Sequence, residues 1–228
     1  MGLAFEVRPS HAPELHEEHL TAREVSQLNA YRKAREIAKL NPDALVLGAD
    51  TLVYLGTQLF GKPANLEEAI AMLEKLQGQT HEVVTAICLL HLREHRQKVF
   101  AESTAVTFHR LNTDQMRAYF TKVSPLDKAG AYAIQEDGHL IVEKIDGSYS
   151  NVVGLPVERL EEELRGWGRR KAQSAGGRLR PNLVLSTDRR SSTGLFRSSR
   201  GRTSRWVSGR CRPGGPARAS MNPPSGSS

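Results

Sequence analysis

The stretch ALVLGADT, residues 44–51, decides the fold of this chain. It is a short, mostly apolar run that follows the turn residues Pro42-Asp43 and ends in an acidic side chain. A run of this length and composition is typical of a buried strand. We therefore expect a strand whose C-terminal edge presents Asp50 and Thr51.

Helical and extended patterns alternate on both sides of this strand. The spacing of apolar residues, with Thr113 as the cap of the third helix, predicts helices over about 22–40, 66–76, 113–122 and 156–165. Runs rich in β-forming residues predict an antiparallel pair over about 81–92 and 98–109, a strand over about 140–145, and a hairpin turn at Gly56-Thr57. The order predicts an α/β fold, a mixed β-sheet flanked by helices.

Charge divides the chain into two parts. Residues 1–165 contain 18 Lys and Arg against 24 Asp and Glu, whereas residues 166–228 contain 14 against 1. The second part is rich in Arg, Ser, Gly and Pro and has no pattern that would bury one face. We predict one folded domain over residues 1–166 and a basic, disordered tail over residues 167–228.

The two cysteines and the distribution of apolar residues indicate in which cellular compartment the protein is located. Cys88 and Cys211 form neither a disulfide framework nor a metal-ligand spacing, which favours a reducing compartment. No run of 18 apolar residues exists, and the N-terminus lacks the order of a signal peptide. We expect a cytoplasmic protein that does not enter a membrane.

Asp50 is the best candidate for a chemical role. An ionisable group at the end of an apolar strand has lost much of its water, which raises its basicity unless a cation or a metal holds it. The local sequence leaves an alternative open, in which Asp50 only caps the turn before the hairpin.

Three further motifs follow Asp50 along the chain. They are GKP at 61–63, AGAYAIQ at 129–135 and GSYSNVVGLP at 147–156. Together with LGADT at 47–51, this ordered set resembles the Maf family of nucleoside triphosphate pyrophosphatases. The resemblance covers about residues 2–165 and implies two lobes with a nucleotide cleft between them.

The resemblance also implies a reaction and the residues that serve it. Asp50 would be the proton acceptor while water attacks the α-phosphorus and pyrophosphate leaves, with Mg²⁺ or Mn²⁺ as cofactor. Asp50 would share this metal with the phosphates of the nucleotide. Lys33 and Lys62 correspond to the family's phosphate-binding lysines. Without the resemblance, Lys33 could equally belong to a charged helix face, and Lys62 could be a solvated loop lysine.

Thr51 and Gln135 bear on the choice of substrate. An amide offers a donor and an acceptor, which complement the O4 and N3–H of uracil or thymine. Thr after the aspartate and Gln in AYAIQ are similar to the dTTP/UTP branch of the family, while the alternative for Gln135 is a loop amide bonded to its own backbone. As partners we expect a nucleoside triphosphate and a second copy in a homodimer.

The chain departs from the family at its N-terminus. Maf proteins begin with an apolar strand leading into Ser-x-Ser-Pro-Arg-Arg, and this chain opens at Gly2, after that motif. The pairs Arg169-Arg170 and Arg189-Arg190 lie in the predicted tail without the strand-to-helix setting of that motif. We therefore expect a marginally folded and poorly active domain, and we interpret the start as too late and the tail as a non-native extension.

Two functions follow from these observations. The first is a metal-dependent pyrophosphatase that converts dTTP and UTP to the monophosphate and pyrophosphate. The alternative is a catalytically impaired, truncated nucleotide-binding protein whose basic tail binds nucleic acid non-specifically through phosphate contacts.

Overall fold

Strands and helices alternate along the chain. The structure is a computed structural model, and it describes residues 4–15, 19–172, 183–188 and 204–205. The strands are β1 (Ala4–Ser10), β2 (Leu45–Leu55), β3 (Gln58–Phe60), β4 (Thr80–His91), β5 (Arg96–Phe108), β6 (Val142–Asp146), β7 (Leu183–Asp188) and β8 (Ser204–Arg205). The helices are α1 (Ala22–Leu40), α2 (Leu66–Leu76), α3 (Thr113–Phe120), α4 (Tyr149–Val153) and α5 (Val157–Ala172).

The long helices lie where the sequence predicts them. Helix α1 begins with a capping box, in which the Thr21 side chain accepts from the Glu24 amide and the Glu24 side chain accepts from the Thr21 amide. Helix α3 is capped by Asn112 and not by Thr113, because Asn112 forms the reciprocal pair with Gln115. Within the described ranges, no helix is long and apolar enough to cross a membrane.

The strands form one mixed sheet in the order β6-β5-β4-β2-β7-β1-β8, with β3 attached to β2. Strands β2, β4, β5 and β6 are antiparallel neighbours, whereas β7 runs parallel to both β1 and β2. The predicted antiparallel pair is β4 with β5, and the predicted hairpin is β2 with β3. The prediction of a mixed sheet flanked by helices is confirmed.

One edge of β2 is interrupted. The edge that faces β4 is paired from Val46 to Tyr54. On the opposite edge, β7 pairs with residues 45–48 and β3 pairs with residues 53–55, so among the described strands none pairs with residues 49–52. Asp50 lies in this gap. The prediction that Asp50 stands at a strand end is wrong, because β2 continues to Leu55 and only its parallel partner ends beside Asp50.

Part of the predicted tail is regular structure. Helix α5 extends to Ala172, and residues 183–188 form β7. The apolar run Leu183-Val184-Leu185 is short and lies in an Arg- and Ser-rich region. The composition of this region therefore gave no indication of a strand. A strand does precede Arg189-Arg190, since β7 ends at Asp188, while the residues after it that would form the helix of a strand-to-helix setting lie outside the described residues. The rest of the predicted tail lies outside the described residues.

The core divides at the gap in β2. On one side, Val53, Phe60 and Leu73 belong to a cluster that packs β2 and β3 against α2 and α3. On the other side, Val46 and its neighbours pack against α1, while Leu47 and its neighbours pack towards α5. The molecule therefore has two lobes, and the open edge of β2 lies between them.

Candidate active site

Asp50 is almost fully buried in the gap on β2, with 4% of its surface exposed. Its Oδ1 accepts a hydrogen bond from Lys33 Nζ at 2.6 Å, and its Oδ2 accepts one from Asn29 Nδ2 at 3.3 Å. Burial raises the pKa of Asp50, and the ammonium of Lys33 opposes this increase without cancelling it. The carboxyl group is therefore more basic than that of an aspartate in water, which suits a proton acceptor.

Helix α1 crosses β2 at very short range, and this brings Lys33 to Asp50. Gly48 makes the approach feasible, because a Cβ atom at that position would lie 2.3 Å from the Ala30 carbonyl oxygen. Asn29 and Lys33 are four residues apart and lie on the same face of the helix. Both side chains therefore meet the same carboxylate.

Glu14 joins the two lysines of the site. It lies in the loop after β1, and its Oε1 accepts hydrogen bonds from Lys33 Nζ at 3.0 Å and from Lys62 Nζ at 3.4 Å. Asn29 holds this loop, since it accepts from the Leu15 amide and donates to the Leu15 carbonyl. Two carboxylates and two ammonium groups thus meet at the open edge of β2, and Lys62 is the lysine with exposed surface.

Gln135 lies on a loop that is attached to the turn of Lys62. The Gly130 amide donates to the Gly61 carbonyl oxygen at 3.0 Å, which connects the AGAYAIQ segment to GKP. The Gln135 side chain is exposed. Backbone atoms of Gly130 and Gly61, and not the Gln135 side chain, therefore connect this loop to the turn that carries Lys62.

Thr51 points to the other face of the sheet. Successive side chains of a strand alternate between faces, so Thr51 lies opposite to Asp50. Its hydroxyl is 3.0 Å from that of Thr85, which donates to the Asn151 carbonyl oxygen at 2.9 Å. The structure therefore brings Asp50, Lys33 and Lys62 together, and it connects Thr51 to the GSYSNVVGLP segment instead.

The sequence of the whole domain indicates which family this arrangement belongs to. The model of the family described as "Maf-like protein" matches residues 1–167. The chain belongs to the Maf family. The Maf domain therefore includes β1 to β6 and most of α5, and β7 follows it in the sequence.

Curated members of the Maf family are similar to this chain over most of their length. A dTTP/UTP pyrophosphatase of Moorella thermoacetica is 44% identical over 168 residues, which are 74% of this chain and 87% of the relative. That of Carboxydothermus hydrogenoformans is 43% identical over 166 residues, 72% of this chain and 88% of the relative. That of Desulforamulus reducens is 40% identical over 168 residues, 74% of this chain and 88% of the relative.

The sequence patterns did not predict two residues of this Maf site. Asn29 could have been found, because it precedes Lys33 by one helical turn and must share its face. Glu14 gave no such signal, since it is one of several acidic residues in the sequence HAPELHEE, residues 11–18. Only the loop after β1 places its carboxylate between Lys33 and Lys62.

Asp50 and Glu14 are the acidic side chains of the site that could take part in holding a metal ion. Among the described residues, no group of three or more His, Cys, Asp or Glu side chains could hold a metal ion alone. Asp50 and Glu14 both approach Lys33 Nζ, so the two carboxylates lie close to each other. Mg²⁺ is usually held by one or two carboxylates together with substrate phosphates, and this pair meets that requirement.

Proposed function

We propose that this chain is a nucleoside triphosphate pyrophosphatase that hydrolyses dTTP and UTP to the monophosphate and pyrophosphate. The observation that carries the proposal is the meeting of Asp50, Lys33 and Lys62 around Glu14 at the open edge of β2. The proposal is also supported by relatives at 40–44% identity, which are named dTTP/UTP pyrophosphatase.

Each residue has a defined task in this reaction. Asp50 accepts the proton of the water that attacks the α-phosphorus, since its burial makes the carboxyl group basic. Lys33 holds the Asp50 carboxylate in one orientation through its 2.6 Å hydrogen bond. Lys62 is partly exposed at the mouth of the gap and attracts the phosphate oxygens as a point charge.

Asp50 and Glu14 would hold a divalent cation, Mg²⁺ or Mn²⁺, in the nucleotide complex. When bound, the cation neutralises charge on the phosphate groups and stabilises the leaving pyrophosphate. Glu14 would exchange part of its contact with the two lysines for the metal. Lys62, the more exposed of the two lysines, would then turn towards the phosphate oxygens, while Lys33 stays on Asp50.

Gln135 is proposed to recognise the pyrimidine base. Its loop is tied to the Lys62 turn by the hydrogen bond from the Gly130 amide to the Gly61 carbonyl oxygen, which supports a role for this loop in the same site. The Gln135→Ala variant should raise KM for both dTTP and UTP, because a base-recognising hydrogen bond contributes about 1 kcal/mol. The matched control is Gln97→Ala, a second exposed glutamine, in the strand β5. Equal KM values in the two variants would exclude this role.

The proposed activity is tested by pyrophosphate release from dTTP, UTP, dCTP, ATP and GTP, with Mg²⁺ or Mn²⁺. Release should be fastest from dTTP and UTP. The Asp50→Asn variant keeps the shape of the side chain and should lower kcat by about 10²–10⁴ through loss of the proton acceptor. Asp43→Asn, at an exposed aspartate that pairs with Arg93, is the control and should leave kcat unchanged. No release from either pyrimidine nucleotide would refute the proposal.

A cytoplasmic location and a homodimer are also proposed for this enzyme. Nucleoside triphosphates are made and used in the cytoplasm, which is where such a pyrophosphatase would meet them. Cell fractionation tests the location, and sedimentation equilibrium of the purified chain tests the homodimer. A monomer at all concentrations would exclude the second expectation.

A further inference from the structure

The strand β7 comes from the C-terminal part of the chain and lies in the middle of the sheet. It pairs with β1 from Phe5 to Ser10 and with β2 from Leu45 to Gly48, parallel to both. Val184 packs into the cluster under α1, and Leu185 packs into the cluster on the opposite face. A parallel strand buried on both faces is an integral part of a core.

Ser186 of β7 is fully buried and touches the helix that carries Lys33. Its Oγ donates a hydrogen bond to the Lys33 carbonyl oxygen at 3.1 Å. Ser186 is the register partner of Gly48, and these two small residues lie side by side under α1. The Ser186 hydroxyl therefore connects β7 to helix α1 at Lys33, the residue whose ammonium binds Asp50.

We propose that Ser186, carried by the C-terminal strand β7, is a positioning residue for the Lys33–Asp50 pair. The hydroxyl fixes the backbone of Lys33 above the sheet, and the Lys33 side chain then reaches Asp50 Oδ1 at 2.6 Å. Loss of the hydroxyl leaves α1 free to shift at this point. The catalytic consequence rests on the proposed function, whereas the structural consequence does not.

A second serine of α1 provides a matched control. Ser26 is also fully buried, and its Oγ donates to a backbone carbonyl oxygen of the same helix, that of Arg23, at 3.0 Å. Its hydrogen bond remains within α1 and does not connect the helix to the sheet. Ser186→Ala and Ser26→Ala therefore remove the same group at the same burial, and only the first removes the link to β7.

The two variants are compared in the full chain by kinetics and by carbon-13 NMR of the aspartate carboxyl groups, with Asp50 assigned from Asp50→Asn. Ser186→Ala should lower kcat by about tenfold at nearly constant KM, because misplacement of a catalytic group acts on turnover. It should also raise the titration midpoint of Asp50, since a longer distance to Lys33 weakens the interaction that opposes the effect of burial. Ser26→Ala should change neither quantity. Equal effects of the two substitutions would overturn the inference.

Hydrogen exchange followed by mass spectrometry tests the strand itself. The amides of residues 183–188 should be strongly protected in the full chain, at a level similar to β2. Exchange at the rate of an unstructured peptide would overturn the inference whatever the kinetics show. If the unmodified chain releases no pyrophosphate, the proposed function fails, while the Asp50 titration and the exchange data still decide the role of Ser186.

Discussion

The ammonium of Lys33 lies 2.6 Å from Asp50 Oδ1, and the side chains of both residues are nearly excluded from water, at 2% and 3% exposure. Each charge of such a pair depends on the other, because an unpaired charge in this place would have lost its hydration without compensation. Glu14 adds a second acceptor to the same ammonium at 3.0 Å. The stability of this lobe and the basicity of Asp50 are therefore linked through Lys33.

Removal of Lys33 should destabilise the fold, and a second substitution should reverse part of the loss. Lys33→Met should lower the free energy of unfolding by about 3–5 kcal/mol, since Asp50 is then buried without a counter-charge. Lys33→Met combined with Asp50→Asn should recover much of this loss because neither charge remains. Urea denaturation followed by circular dichroism measures both variants. Strictly additive effects would show that the two residues are not coupled.

Substitution of Glu14 should act on the metal requirement that we propose for this enzyme. Glu14→Gln removes one of the two carboxylates, so the Mg²⁺ concentration for half-maximal pyrophosphate release should rise about tenfold or more. Glu6→Gln, at an exposed glutamate of β1 that pairs with Arg8, is the control. An unchanged Mg²⁺ dependence in Glu14→Gln would remove Glu14 from the metal site.

Gly48 should tolerate no larger side chain. A Cβ atom there would meet the Ala30 carbonyl oxygen and the Ala34 amide nitrogen at 2.3 Å and 2.7 Å, so Gly48→Ala must push α1 away from β2. We expect a loss of about 1–3 kcal/mol in the free energy of unfolding. Gly166→Ala in α5 is the control, because open space surrounds that position and alanine favours a helix. A melting temperature of Gly48→Ala equal to that of the unmodified chain would contradict the close approach.

His81 should make stability depend on pH. Its imidazole is buried beside Phe108 and Tyr132, with Nε2 2.9 Å from the Tyr132 hydroxyl, and burial lowers its pKa from 6.5 to about 4. Between these two values the unfolded chain binds a proton that the folded chain does not. This titration therefore leaves the free energy of unfolding unchanged above pH 6.5. As the pH falls from 6.5 to 4, it lowers the free energy of unfolding by up to about 3 kcal/mol.

The contribution of His81 can be separated from that of the carboxyl groups, which also titrate in this range. Urea denaturation is measured from pH 4 to 7 on the unmodified chain and on the double variant His81→Phe, Tyr132→Phe, which removes both polar groups of the pair. The difference in the free energy of unfolding should change with pH in the window between 6.5 and 4. A difference that is constant over this range would refute the assignment.

Local patterns predicted most of the Maf domain correctly. The capping box at Thr21, the apolar spacing of α1 and the Gly56-Thr57 turn are each contained in a few consecutive residues, so their consequences do not depend on the rest of the chain. Asp50 became a candidate because it stands beside an apolar run, and Lys62 became one because its GKP motif resembles that of the Maf family. Their common partner Glu14 has no local pattern, and it could not be predicted.

The face on which Thr51 lies and the place of residues 183–188 follow from the geometry and pairing of the strands, which the local patterns did not show. Side chains alternate along β2, and so Asp50 and Thr51, although adjacent in sequence, face opposite sides of the sheet. The segment 183–188 carries only a short apolar run, and its place between β1 and β2 follows from partners that lie far away in the sequence.

By itself, the sequence determined the helices, the antiparallel strands and the family, and it named the aspartate and the two lysines as candidates, because these depend on local spacing and on ordered motifs. Only the tertiary structure decided that β7 completes the sheet, that the open edge of β2 surrounds Asp50, and that Glu14 joins Lys33 to Lys62. The physical reason is that parallel pairing and buried ion pairs bring together groups from distant segments, whose free energy depends on the surroundings that the whole fold creates.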